Sequence, residues 1–560
     1  MRLLTTVAAL RCYLAKCGLE TRDSQLIEPL QFEVTASHQT AVGLVPTMGA
    51  LHQGHLSLIQ QARTENATVI VSIFINPLQF GQNEDFQHYP RTFDRDREIC
   101  EEAGVDVIFA PTPLELLGKH SLQQTPEELP GRRSFRQTPE PIGMRAKYIE
   151  ESKLTQVIPP SAMTSGLCGR SRLGHFQGVT TIVTKLFNLV QPDRAYFGQK
   201  DGQQLAVIKK LVCDLNMPIE IVACPTVREV SGLALSSRNQ YLSATEKEDA
   251  AVLYRGLRRA MVAFKAGIRN ANKLIAFVQQ EVAMVSTVLV EYIELVEPTT
   301  LMPLETIQEE GMLAIAARLG STRLIDNTLL RDRKPIIAID GPAGAGKSTV
   351  ARLVAANLGL VYLDTGAMYR AMTWLVQQSG IDLDDECAIA ELAAKCVIEL
   401  APSQNLDSPV QVCVNGYDVT TQIRTPEVTS KVSAIAAQTA VRLELVKQQQ
   451  NWGKKGGLVA EGRDIGTHVF PDAEVKIYLT ASVEERALRR LQDFKKQGLP
   501  EVDLEQLEKD IAERDWKDST RKVSPLQKAD DAVEIKTDGL HTSDVTAKIV
   551  DFYQQRLSQM

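Results

Sequence analysis

IIAIDGPAGAGKSTVARLVAANLG, residues 336–359, reads as a buried strand, a glycine-rich turn and an amphipathic helix in immediate succession. Its centre, Gly341 to Thr349, satisfies G-x-x-x-x-G-K-[ST], with Gly344 and Gly346 inside the turn. The glycines let successive backbone N–H groups turn inward around phosphates, and Lys347 reaches the outer phosphate oxygens. The Ser348 hydroxyl is placed to ligate Mg²⁺. The helix behind the loop adds its positive end. Such a string arises by chance in about one chain of this length in a hundred, and a strand before it with a helix after it is the context the motif requires. A parallel α/β sheet holding ATP at its strand ends is expected here.

Working outward, the downstream apolar runs VQVCV, GLVAE and VKIYLT read as further strands, separated by helical patterns such as SVEERALRRLQDFKKQG. Upstream, NTLLRDRKP is short, polar and basic, so residues 328–335 read as a linker between a first domain, 1–327, and a second, 336–560. The first domain has the same style. AVGLV, LSLIQQAR, TVIVSIFIN and VDVIFA alternate strand and helix patterns from Ala41 onward, which implies βαβ units whose ligands sit at the carboxyl ends of strands. Residues 119–160, rich in Pro, Gln and Arg without a period, read as an irregular insertion. Order resumes at VTTIVTKLFNLV.

At 560 residues the chain exceeds what one hydrophobic core supports. A net charge of −7 argues against nucleic acid as a partner. Nine scattered cysteines with no C-x-x-C pair suggest reduced thiols and a cytoplasmic setting. The N-terminal apolar stretch is broken by Arg11 and Lys16 and reads as an amphipathic helix. No run of 18 uncharged apolar residues suggests a membrane span.

Val45-Pro-Thr-Met-Gly-Ala-Leu-His52-Gln-Gly-His55 lies between a strand and a helix. Two histidines three apart at a helix start share one face near its positive end, a position suited to donating hydrogen bonds to nucleotide phosphates. H-x-G-H is the pattern of class I nucleotidyltransferases, so adenylate chemistry is favoured.

Beyond the phosphate loop, LDTGAMYR, IRTPEVTSKVSAIAA, AEGRDIGTHVFPDAEVKIYLTAS and ERDWKDSTRKVSPL closely resemble cytidylate kinase. The resemblance covers about residues 335–555 and implies phosphorylation of CMP or dCMP by ATP. It implies that Ser433, Arg442 and Asp464 contact the cytosine and that Arg370 and Arg463 hold the acceptor, alongside Thr365 and Tyr369. Arg514, Asp518 and Arg521 would complete that site, with Lys347 and Arg514 acting in catalysis. A carboxylate and cations suit the donor and acceptors of the cytosine edge. Trp516 and Lys517 depart from the family, which carries further Asp and Arg there.

In the first half, PTMGALHQGHLSLI, NPLQFGQNEDFQHYPRT, LCGRSRLGHFQGVTTIVTKLFNLVQPDRAYFGQKDGQQ and LALSSRNQYLS closely resemble pantoate-beta-alanine ligase. That resemblance implies a Rossmann-like nucleotidyltransferase domain with a smaller C-terminal subdomain, followed here by a P-loop nucleoside monophosphate kinase domain. It implies condensation of pantoate with β-alanine through a pantoyl adenylate, releasing pyrophosphate and AMP, and a homodimer through this half. His52 and His55 would stabilise the α-phosphate transition state, with His55 the essential donor. Met48, Gly198, Lys200, Asp201, Ser236, Ser237 and Arg238 would bind ATP, and Gln79 and Gln204 pantoate. Leu173 stands where the family has Pro, and Gln199 and Gly202 where it has Glu and Tyr. Two alternatives stay open: a catalytically degenerate half serving as a binding module, and a different adenylating enzyme related to tRNA ligases.

Overall fold

The computed structural model describes residues 1–23, 41–81, 86–118, 154–401, 409–496, 503–520 and 524–559. The chain divides into two compact units, Met1–Arg331 and Asp332–Met560.

The first unit is built on a six-stranded parallel sheet. Its strands are β1 (Arg2–Leu4), β2 (Val42–Thr47), β3 (Thr68–Ile73), β4 (Val107–Phe109), β5 (Arg194–Gly198) and β6 (Glu220–Cys224), in the spatial order β1-β4-β3-β2-β5-β6. Neighbouring residues on a strand point to opposite faces, so a sheet covered on both sides needs unbroken apolar runs. Val45, Val69 and Val71 pack with Leu58, Ile59 and Ala62 of the helix Gln53–Glu65. Their neighbours Leu44 and Ile70 pack on the other face with Val179, Ile182 and Leu186 of the helix His175–Val190. Each such fully buried side chain contributes about 1.5–3 kcal/mol. Strand order reverses between β2 and β5, and the crevice beyond their carboxyl ends is where ligands of such sheets bind.

After this sheet come β7 (Val288–Val296), β8 (Glu310–Leu319) and β9 (Thr322–Arg331), an antiparallel sheet that packs with the helices Val252–Lys265 and Ala271–Val282. β9 corrects the sequence reading of 328–335 as a linker. Thr328 to Arg331 continue the ladder, opposite Leu313, Met312, Gly311 and Glu310. The apolar residues of β9 fall in adjacent pairs that face opposite ways: Leu324 and Leu330 pack with the helices Val252–Lys265 and Ala271–Val282, Ile325 and Leu329 with the cluster of Leu167, Phe176 and Ala206, while Arg331 reaches Glu310 at 2.5 Å. Lys334 already opens the next strand, so only Asp332 and Arg333 connect the two.

The 119–160 insertion lies mostly outside the described residues. Its described end, residues 154–160, forms no helix or strand, and is anchored where the Val157 N–H donates to Thr181 Oγ1 at 3.0 Å and its carbonyl accepts from Thr180 Oγ1 at 2.5 Å. β1 carries no periodic signal at three residues, and it pairs with β4 ahead of the expected first helix, Val7–Asp23.

The second unit has β10 (Lys334–Asp340), β11 (Val361–Asp364), β15 (Gly456–Gly462), β16 (Val475–Thr480) and β17 (Val533–Lys536) in one parallel sheet, ordered β11-β15-β10-β16-β17. A small antiparallel sheet holds β12 (Ile398–Ala401), β13 (Gln411–Val414) and β14 (Tyr417–Asp418). β10 is central, and its carboxyl end feeds directly into the phosphate loop. No helix among the described residues is long and apolar enough to cross a membrane.

Candidate active sites

In the first unit the chain leaves β2 through Met48, Gly49 and Ala50 and enters the helix Gln53–Glu65, with His52 as its N-cap. His52 Nδ1 accepts from the Gly54 N–H at 3.1 Å, and His55 Nδ1 accepts from the His52 N–H at 3.3 Å. This reciprocal cap satisfies two amides that a helix start leaves unpaired. It also sets the tautomer: with both Nδ1 atoms accepting, each neutral ring carries its proton on Nε2. The ring centroids are 4.1 Å apart. Burial lowers the His52 pKa to about 4, helped by the Lys200 charge. Burial, His52 and Lys200 lower that of His55 to about 3. Two neutral Nε2–H donors therefore stand beside a cation at neutral pH.

Lys200 and Asp201 lie in a short turn just past Gly198, the last residue of β5, with Lys200 Nζ 3.9 Å from the Asp201 carboxylate. They line a cavity of about 40 Å³ with Gln204, Arg172 and His175. Gln79 Nε2 donates to Met48 Sδ at 2.8 Å, and the Gln79 carbonyl accepts from Arg172 at 3.2 Å and from His175 Nδ1 at 2.8 Å. Ser236 caps the turn Ser237–Tyr241 by accepting from the Arg238 N–H, and Arg238 lies over the Tyr89 ring at 5.9 Å. The Ser237 hydroxyl donates to the Ala50 carbonyl at 3.0 Å, so its proton is engaged within the protein.

Four residues of this region carried no sequence signal of their own. Asp96 reads as one more acid of an amphipathic helix, and it accepts from the Ala50 and Leu51 amides. His175 and Arg172 hold the Gln79 backbone. Asn327 Nδ2 donates to the Gln199 and Lys200 carbonyls at 3.0 and 2.7 Å, tying β9 to the lysine turn. Of the departures, Leu173 is 89 % exposed. Gln199 contributes its carbonyl to Asn327. A Cβ at Gly202 would stand 2.5 Å from Met312 Sδ, so that sulfur occupies the space a side chain would need.

In the second unit Gly341, Gly344 and Gly346 all have positive φ, and a Cβ at Gly341 would fall 1.9 Å from the Leu479 carbonyl oxygen. Lys347 is buried and donates to the Pro342 carbonyl at 2.7 Å. Burial and the neighbouring Arg463 hold its pKa well below the ordinary lysine value, against the pull of Glu461 and Asp340. Glu461 accepts from the Tyr362 hydroxyl, and burial raises its pKa against the opposing influence of the Ser348 hydroxyl, while Thr349 is exposed on the first helical turn. Asp340, raised to about 6 by burial, accepts from the Ile465 and Gly466 amides at 2.7 Å each.

The loop after β15 carries Arg463 and Asp464. Asp464 pairs with Arg442, which is 1 % exposed and also donates to the Ala436 carbonyl at 3.1 Å. The Tyr369 ring lies 5.3 Å from that guanidinium. Arg463 Nε donates to Asp518 at 2.9 Å. Thr365 donates to the Glu461 carbonyl at 2.6 Å, and Arg370 pairs with Asp364 at 3.1 Å. Burial and Arg463 lower the Arg514 pKa, and its buried Nε has no partner among the described residues. Ser433 is half-buried on the helix Pro426–Ala437. Arg521 lies outside the described residues. Glu461 and Asp340 were not singled out from sequence, because isolated acids at strand ends carry no pattern. Arg486, which donates to the Ala343 carbonyl of the phosphate loop at 3.1 Å, sits unmarked in a charged helix.

Two family models match the chain in order, Pantoate-beta-alanine ligase over residues 23–329 and Cytidylate kinase over residues 337–555. A relative from Nostoc sp. bearing the name bifunctional pantoate ligase/cytidylate kinase is 73 % identical over 559 residues, covering 100 % of both chains. One of the same name from Trichodesmium erythraeum is 52 % identical, covering 99 % of this chain and 98 % of its own. Among solved structures, pantothenate synthetase from Thermus thermophilus is 38 % identical, covers 59 % of this chain and 99 % of its own, and has a TM-score of 0.47. The two-histidine cap and the phosphate loop each lie inside a matching family segment, and the two segments in this order, with the full-length identity to these relatives, make this chain a member of the bifunctional pantoate ligase/cytidylate kinase family.

Proposed function

We propose that the first unit joins pantoate to β-alanine and that the second phosphorylates CMP and dCMP. The observation that carries the ligase reading is the pair of neutral Nε2–H donors beside Lys200 at the strand-order reversal. A pantoate oxygen attacks the α-phosphorus of ATP and pyrophosphate leaves. The β-alanine amine then attacks the acyl carbon of the adenylate, loses its proton and expels AMP. No side chain is required as a nucleophile, so catalysis is positioning plus stabilisation of charge. His52 and His55 donate to the α-phosphate as charge builds on it, and Lys200 offsets the outer phosphates with Arg238. Met48, Gly198, Asp201 and Ser236 line the ATP site. Gln79 and Gln204 orient pantoate. The Ser237 hydroxyl donates its hydrogen bond to the Ala50 carbonyl and contributes through that bond.

In the second unit Lys347 exchanges its bond to Pro342 for nucleotide phosphate, whose charge offsets the cost of burying the ammonium. Ser433, Arg442 and Asp464 read the cytosine. Thr365, Tyr369, Arg370, Arg463, Arg514, Asp518 and Arg521 hold the acceptor nucleotide, and the arginines stabilise the transferring phosphoryl group. The hard oxygen donors of Ser348 and Glu461, side by side at the phosphate loop, fit Mg²⁺. When bound there, the ion offsets phosphate charge.

A cytoplasmic setting and a homodimer through the first unit complete the proposal, the former supported by nine cysteines that are all free. Parallel assays on the intact chain test the assignment. His55→Ala lowers pantothenate formation at least about 100-fold and spares CMP-dependent ADP release, and Lys347→Ala does the reverse. Retention of both activities in either variant would overturn the assigned site.

A further inference from the structure

We propose that Asp96 is a positioning residue of the ligase reaction, a buried carboxylate that clasps the backbone just ahead of the histidine cap. The inference rests on the histidine reading above. Asp96 is 1 % exposed, on the helix Phe93–Glu102. Its two oxygens divide between consecutive amides: Oδ2 accepts from the Ala50 N–H at 2.8 Å and Oδ1 from the Leu51 N–H at 2.7 Å. Thr92 Oγ1 supplies a third donor at 3.1 Å.

The residue so held is in an unfavourable conformation. Ala50 has φ +51°, a region that costs an L-residue with a Cβ and that glycine enters freely. Gly49 before it has φ +80°, and a Cβ there would come within 3.0 Å of Asp96 Oδ2. The other end of Ala50 is gripped as well, since its carbonyl accepts from Ser237. Left to itself, this segment would relax to negative φ at Ala50 and carry the His52 cap with it. Bonds from two separate elements hold it in place. Because the His52 N–H is the donor that sets the His55 tautomer, a shift of the backbone here reaches the catalytic Nε2–H directly.

Asp96→Asn keeps size and shape but turns one oxygen into an amide donor facing a backbone donor. The expected result is a fall in ligase kcat of about 100-fold with little change in the KM values, because the misplacement acts on transition-state contacts. The CMP kinase rate of the same chain stays at the parent value. Adding Ala50→Gly to Asp96→Asn should recover about fivefold or more of kcat, because glycine removes the strain that the carboxylate holds in check. A ligase kcat within twofold of the parent for Asp96→Asn overturns the proposal. So does a loss that Ala50→Gly leaves unrescued and that tracks a lowered melting midpoint of the first unit, since Asp96 then serves folding alone. A His55→Ala chain run alongside separates the two failures: turnover surviving there removes the histidine reading itself, whereas a dead His55→Ala with an intact Asp96→Asn removes only the clasp.

Discussion

The Nδ1 atom of His55 accepts a hydrogen bond from the backbone N–H of His52 at 3.3 Å, so one imidazole is oriented by the main chain of the other. Together with the bond from Gly54 to His52 Nδ1, this leaves neither ring a basic nitrogen free to take a proton without breaking the cap. Helix geometry and acid–base state are therefore linked at this site.

The first expectation concerns pH. Both histidines have folded pKa values far below the ordinary value near 6.5, about 4 and about 3. Between those values and 6.5 the unfolded chain binds more protons than the folded one. Their contribution to stability is therefore whole above 6.5 and is lost as pH falls toward 3. Urea unfolding of the first unit between pH 7 and 4.5 should show this slope, and His55→Gln should flatten it. Ligase kcat should show no histidine limb between pH 5.5 and 8; a limb near 6.5 that disappears in His55→Gln would contradict the neutral pair.

The second concerns the buried pair of Arg442 and Asp464. Removing one partner leaves a charge without compensation in the interior, which costs about 3–5 kcal/mol. Asp464→Ala should lower the melting transition of the second unit accordingly and raise KM for CMP, while pantothenate synthesis continues. Calorimetry with both assays checks this, and an unchanged kinase transition would show that the pair carries no such burden.

The third concerns Gly202, where the family carries Tyr. Met312 Sδ fills the space beside this glycine, so Gly202→Tyr alone should overpack the first unit, at a cost of about 1–3 kcal/mol, and reduce ligase turnover. Pairing it with Met312→Ala should restore much of both. If the single substitution is as stable as the parent, the glycine and the methionine are not paired.

Much of this arrangement was legible in the sequence where chemistry demands fixed spacing. The phosphate loop and the H-x-G-H cap are local: a few adjacent residues must meet a phosphate, and the spacing records it. The strands flanking them were readable because a sheet covered on both faces needs long apolar runs. Asp96, Asp340 and Glu461 were not readable, since each acts across 45 or more positions of chain on backbone amides or a hydroxyl, and such partners leave no pattern. The last four residues of β9 were read as linker because its apolar residues come in adjacent pairs between polar ones, a spacing without the period of two that marks a strand. Only its pairing with β8 distinguishes it from a loop.

That strand bears on how the chain is made. β9 ends at Arg331, so every described strand of the first unit has been translated before the phosphate loop is. At about 5–20 residues per second, the roughly 230 residues that follow take on the order of 10–45 s to synthesise. The ligase has that interval in which to fold with its sheets complete, ahead of its covalent neighbour. A nascent chain stalled late in the second unit should therefore already carry a protease-resistant first one.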